Sequence, residues 1–148
     1  MDWTALILAC APLVHPVTAA ALVRTESAFN PNAIHVNGGE LERQPRSAAE
    51  AIATARALMR DGWDFDAGLA QINRRNFARL GLAPETVFDP CTNLRAMQAV
   101  LTECFRRAGT GARPQLELRR ALSCYQSGNF ATGFDQGYVD RVVRNATR

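Results

Sequence analysis

Glu26 is the carboxylate whose position in this 148-residue chain first suggests chemistry. If Pro16 opens a helix at its first turn, Ala19, Leu22, Val23 and Glu26 fall at i, i+3, i+4 and i+7, so the carboxylate continues an apolar stripe. A carboxyl set into an apolar wall has its ionised form destabilised, which raises its pKa toward the range where it donates a proton near neutrality. That is what a general acid requires. Periodicity alone also allows a helix-end Glu whose stem lies on the core edge while its head reaches solvent.

Three further clusters carry polar chemistry. In Gly68-Leu69-Ala70-Gln71-Ile72-Asn73 the glycine lets backbone or ligand approach closely, and Gln71 offers both a donor and an acceptor. Asp61, Asp64 and Asp66 alternate with Trp63 and Phe65 in a way that mimics part of a calcium loop. No bidentate Glu follows at the twelfth position, so caps, turns and an aromatic anchor are expected there instead of a metal. Tyr125 and Tyr138 are candidates to contact Glu26 or a polar ligand, the alternative being edge-of-core packing with the hydroxyl in water.

The elements that must position these groups are mainly helical. A short helix is expected over residues 2–9, stopped by the Cys10-Ala11-Pro12 corner, followed by Pro16–Ser27 and a turn at Phe29-Asn30-Pro31-Asn32. Glu26 then sits at a helix end opening onto a loop. Residues 35–46 read as a loop or short hairpin turning at Asn37-Gly38. Ser47 and Glu50 form a capping box ahead of a helix from Ala48 to Arg60. Short helical turns are expected before Gly81 and over residues 84–88. The longest helix runs over residues 90–107, with Asp89 as N-cap, Pro90 in the first turn and Leu94, Met97, Leu101 and Phe105 as a core stripe. After a linker over residues 109–114, a helix over residues 114–125 should turn Leu116, Leu118, Ala121 and Leu122 largely inward, and a last helix covers residues 138–144.

Composition restricts the class. The length suits one domain with a real core, and 47% hydrophobic with 21% charged residues is ordinary for a globular protein. All seventeen basic residues are Arg, with no long run interleaved with aromatics, so nucleic acid is not an expected partner, while the net charge of +3 is compatible with an anionic polymer. Cys10, Cys91, Cys104 and Cys124 show no zinc spacing. On one helix Cys91 and Cys104 lie about 20 Å apart, so any disulfide must involve Cys10 or Cys124, with buried free thiols as the alternative. The longest apolar run, residues 5–14, is broken by Pro12 and falls well short of the ~20 residues of a membrane span. Asp2 stands where a signal peptide would carry positive charge, and the run is read as mature structure without a clear targeting signal.

Taken together, Glu26-Ser27 with Phe29-Asn30-Pro31, then Gly68-Leu69-Ala70-Gln71, then Tyr125 with Gly128, then Tyr138-Val139 resemble the ordered motifs of the goose-lysozyme-like lytic transglycosylases. Gly68-Leu69-x-Gln71-Ile72-Asn73, Phe88-Asp89-Pro90-Cys91-x-Asn93-Leu94 and Cys124-Tyr125-x-Ser127-Gly128-Asn129 look most like the branch that serves type IV secretion and conjugation systems. The resemblance extends from Cys10 to about Val143. Two positions depart from the common pattern: Ala70 where Met is usual, and Gln126 where Asn is usual. Both bear on how a sugar's N-acetyl groups are held.

This resemblance implies a single lysozyme-like, mainly α domain over residues 1–148, with a substrate cleft and at most a small hairpin. It implies non-hydrolytic cleavage of the β-1,4 bond between N-acetylmuramic acid and N-acetylglucosamine in peptidoglycan, giving 1,6-anhydro products. Glu26 would be the acid. Ser27, Leu69, Ala70, Gln71, Tyr125, Gln126 and Tyr138 would hold the glycan, with no metal or cofactor. Expected partners are peptidoglycan strands and secretion or conjugation components, and the expected location is the periplasm. Two other readings remain: a lysozyme using a second carboxylate from Asp61, Asp64 or Asp66, and a non-catalytic peptidoglycan-binding assembly factor.

Overall fold

The computed structural model describes residues 1–109, 111 and 113–147. Its helices begin where capping chemistry dictates. The Asp2 carboxylate accepts from Ala5 N–H (3.2 Å) to start α1, Trp3–Cys10. Helix α2, Pro16–Ser27, opens on its proline. The Ser47 hydroxyl accepts from Glu50 N–H (3.1 Å) to start α3, Ala48–Arg60; Glu50 reaches back to Arg46 N–H, not to the Ser47 N–H of a full capping box. Short helices α4, Phe77–Leu80, and α5, Pro84–Val87, follow, the first ended by left-handed Gly81. Asp89 accepts from Thr92 N–H (2.9 Å) at the head of α6, Pro90–Ala108. The chain ends with α7, Pro114–Ser127, α8, Thr132–Asp135, and α9, Tyr138–Asn145.

The fold resolves into two compact units. One comprises Met1–Thr25 with Met97–Arg148, the other Glu26–Ala96. In the first, α7, α8 and α9 pack on one another. Arg24 donates to the Asn145 carbonyl (3.1 Å), and Asn145 donates to the Thr25 hydroxyl (2.8 Å), which ties the body of α2 to α9. A disulfide joins Cys104 of α6 to Cys124 of α7, and none of the four cysteines is free. Two positions expected inward are exposed, Phe105 (38%) and Leu116 (46%), and Leu118 is half-buried. Glu117 is buried instead, because its carboxylate accepts from Gly111 N–H (2.9 Å). Of the expected 109–114 linker, Thr110 and Ala112 lie outside the described residues.

The second unit holds an antiparallel sheet in the order β1-β2-β3, formed by Ile34–Asn37, Asp64–Ala67 and Ile72–Asn73. This corrects the expectation of a hairpin confined to residues 35–46. β1 pairs with β2, some thirty residues on (Ile34 with Ala67, Asn37 with Asp64), rather than with the chain that follows it. It also corrects Asp64 and Asp66, expected at caps and turns, which are strand residues. Phe65 between them is fully buried and meets Phe77 edge to face at 5.9 Å.

Candidate active site

Glu26 is the penultimate residue of α2 and half-buried. The chain then reverses through two consecutive non-glycine residues in the left-handed region, Ala28 (φ 52°) and Phe29 (φ 62°). Each is a conformation that costs an L-residue about 1–2 kcal/mol, and such outliers gather where a side chain must be aimed. The turn expected over Phe29-Asn30-Pro31-Asn32 thus begins one residue earlier, at Ala28, and Asn30 is not among its left-handed residues. The role of Asn30 is to stabilise the exit: its side chain accepts from Asn32 N–H (3.0 Å) and its carbonyl from Ala33 N–H (3.3 Å).

The 68–71 loop lies in the same unit and is tied to this turn directly. Ser27 Oγ donates to the Leu69 carbonyl at 2.7 Å. Leu69 and Ala70 have buried side chains, so what they can offer a ligand is backbone. Gln71 is itself left-handed (φ 52°), and its amide Nε2 donates to the carbonyls of Ala33 and Gly68, both at 3.0 Å. Its donors are thus spent on the loop, and Oε1 remains as the acceptor for a ligand.

Asn93, which sequence reasoning quoted within a motif but gave no role, organises this loop. It is fully buried on α6, accepts from Ala70 N–H (2.8 Å) and donates to the carbonyls of Ala67 (3.0 Å) and Val87 (2.8 Å). Gly68 makes the approach possible: its φ is +83°, and a Cβ there would lie 2.2 Å from Asn93 Nδ2. The signal available in the sequence was an Asn on the core side of a helix, one residue before the Leu94 of the apolar stripe.

A second polar group lies on the sheet. Asn73 donates to Asp64 (3.0 Å) and Asp66 (2.8 Å), and Asn37 donates to Asp64 (2.9 Å) and Asp66 (3.4 Å). His35 lies 3.6 Å from Asp66. Burial pushes the Asp66 carboxyl above its ordinary value; the Asn73 and Asn37 amides and His35 pull it down, and Asp64 adds to the rise.

Tyr125, Gln126 and Tyr138 belong to the other unit. Tyr125 and Tyr138 are buried, in α7 and at the start of α9, and Gln126 is exposed. No buried side-chain polar atom among the described residues lacks a hydrogen-bond partner. The residues after Tyr125 build the turn out of α7. Gly128 is left-handed (φ 81°), and the Asn129 side chain accepts from the N–H groups of Ala131 and Thr132. Ser123 Oγ donates to the Asn129 carbonyl and accepts from Gly133 N–H.

Comparison with known proteins gives one consistent result. The transglycosylase SLT domain family matches residues 6–146. A type IV secretion system protein virB1 of Brucella abortus is 47% identical over 144 residues, covering 93% of this chain and 60% of the relative. Protein virB1 of Agrobacterium fabrum is 42% identical over 135 residues, covering 90% of this chain and 54% of the relative. The chain therefore spans little more than half the length of these relatives. No solved structure matches.

Proposed function

Because the chain belongs to the transglycosylase SLT domain family, we propose that residues 1–148 form one catalytic domain that cleaves peptidoglycan strands without water, with Glu26 as both acid and base. Glu26 gives its proton to the glycosidic oxygen between N-acetylmuramic acid and N-acetylglucosamine as the C1–O bond breaks. The C1 centre that remains is oxocarbenium-like. The Glu26 carboxylate then takes the proton of the muramoyl C6 hydroxyl as that oxygen bonds to C1, giving the 1,6-anhydro end and restoring the acid. No metal or cofactor is called for.

The observation that carries this reading is the bond from Ser27 to the Leu69 carbonyl. It couples the residue after the acid to the loop bearing Gln71, so that acid and glycan-facing backbone are fixed by one compact unit. Ser27, the Leu69 and Ala70 backbone, and Gln71 Oε1 would then hold sugar on this unit, and Tyr125, Gln126 and Tyr138 on the other. Hydrolysis would need a second carboxylate from Asp61, Asp64 or Asp66, of which Asp64 and Asp66 are each bonded by both Asn37 and Asn73 along the sheet.

The relatives named as type IV secretion system proteins support the setting. On this reading, cleavage opens the wall locally for the secretion or conjugation apparatus, and the domain works in the periplasm with peptidoglycan and apparatus components as its proposed partners. Among the described residues no helix is long and apolar enough to cross a membrane.

Mass spectrometry of soluble products from purified peptidoglycan tests the reading with the wild type and Glu26→Gln. Anhydromuropeptides from the wild type alone are expected. Reducing-end products would replace it with a lysozyme, and products from neither, with both proteins sedimenting with the polymer, would leave a binding or assembly factor.

A further inference from the structure

Strand β1 is an edge of its sheet, and an edge strand offers backbone groups to whatever lies outside it. Antiparallel ladders alternate between residues that bond inward and residues that face out. The Gln44 side chain identifies which are which: its Oε1 accepts from Ile34 N–H (2.9 Å) and its Nε2 donates to the Ile34 carbonyl (2.8 Å). Ile34 therefore faces out, and Gln44 stands in for one residue of a missing strand. In the register Ile34–Ala67, His35–Asp66, Val36–Phe65, the next outward residue is Val36.

No residue among those described plays Gln44's part for Val36, whose outward N–H and C=O have no hydrogen-bond partner there. The chain after β1 returns past this point and leaves a pocket of about 380 Å³, lined by Val36, Gly39, Glu40, Leu41, Arg43 and Gln44 among others. Its charges are unequal. Arg43 is engaged by Glu50 at 2.5 Å and donates to the Gln44 carbonyl. Glu40 is exposed and has no partner among the described residues.

An open N–H and C=O pair accepts one amide of an extended chain, and an uncommitted carboxylate beside it favours a ligand that also carries a cation. We infer that this pocket binds a short amine-bearing peptide, which lays one amide along Val36 and sets its ammonium beside Glu40. The source is the stem peptide of peptidoglycan with its diamino acid, and to that extent the inference rests on the substrate reading above. An acetamido group of the glycan could supply the amide but not the cation.

The test uses the full ¹⁵N-labelled chain, titrated with three probes followed by amide shifts. They are a stem tetrapeptide with its side-chain amine free, the same peptide with that amine acetylated, and chitotetraose. The free-amine peptide should shift the Val36, Gly39 and Glu40 signals. Acetylating the amine, or Glu40→Gln in the protein, should weaken binding by about three-fold, as for an exposed ion pair. Absence of shifts at Val36, shifts indifferent to both changes, or chitotetraose shifting Val36 in place of the peptide would overturn the inference. Glu26-dependent cleavage of peptide-free glycan strands reads the proposed function separately, so cleavage without peptide-induced shifts defeats this inference alone.

Discussion

Replacing Asn93 by Ala tests whether the 68–71 loop is held as described. Two of its bonds are donated to the carbonyls of Ala67 and Val87, and each is worth about 1 kcal/mol net. The third is accepted from Ala70 N–H, and its loss leaves a buried donor unpaired at about 1–3 kcal/mol. The expected cost is about 3–5 kcal/mol, a large part of the ~5–15 kcal/mol that holds a domain together. Urea unfolding followed by far-UV circular dichroism at neutral pH measures it. The variant should also lose glycan cleavage under conditions where it is still folded, since Leu69 and Gln71 ride on the released loop. Asn93→Asp sharpens the test because it keeps the shape and one acceptor. Its second oxygen would face the two carbonyls, which favours the protonated form in the fold. Its folded pKa would then exceed its unfolded one, so this variant should be most stable at acid pH and lose stability as pH rises through the folded value. A cost under about 1 kcal/mol for Asn93→Ala, or an Asp variant without that pH dependence, would refute the role given to this residue.

Asp66 supplies a pH test in the unmodified sheet. Its folded pKa is raised, chiefly by burial, so its contribution is fully present below the unfolded value near 3.8 and is lost as pH rises through the folded value. Thermal unfolding across that window should show a downward component with rising pH that Asp66→Asn lacks; identical profiles would contradict it. At Ala28, the left-handed backbone should favour glycine. Relief of about 1–2 kcal/mol of strain, less about 0.5–1 kcal/mol for glycine's extra unfolded-chain freedom, predicts that Ala28→Gly gains about 0–1.5 kcal/mol in the same urea assay, and a loss would count against the turn.

The helical frame was legible because its signals are local. Ser47 and Asp89 cap the helices they precede as expected, Asp2 caps α1 where it was expected to be the first helical residue, and the observed bounds of α6 and α9 each extend one residue beyond those read from the sequence. The place of Glu26, half-buried near the end of α2, was legible by periodicity. The sheet was not. Strands of two to four residues carry too few side chains for a period-two pattern, and Asp64 and Asp66 resemble capping residues until their partners Asn37 and Asn73 are known. Asn93 was opaque for a related reason, as its partners Ala67 and Ala70 lie more than twenty residues back along the chain. The phase of α7 was misjudged because one buried carboxylate, Glu117, is satisfied by Gly111 N–H and takes a place that apolar counting gave to Leu116.

The site's polar side chains act mostly on backbone, and this explains how it tolerates its own strain. Ala28, Phe29 and Gln71 each adopt a left-handed conformation at about 1–2 kcal/mol, or about 3–6 kcal/mol in all. Against this stand one bond from Ser27 to Leu69, two from Gln71 to Ala33 and Gly68, and three at Asn93. At about 1 kcal/mol each they offset the strain and leave little over. Gln71 and Asn93 therefore hold the 68–71 loop to which Ser27, the residue after Glu26, is bonded. This also accounts for a motif built of amides and a hydroxyl beside Glu26: such groups fix backbone without adding charge, which on the proposed mechanism leaves the proton transfers to Glu26.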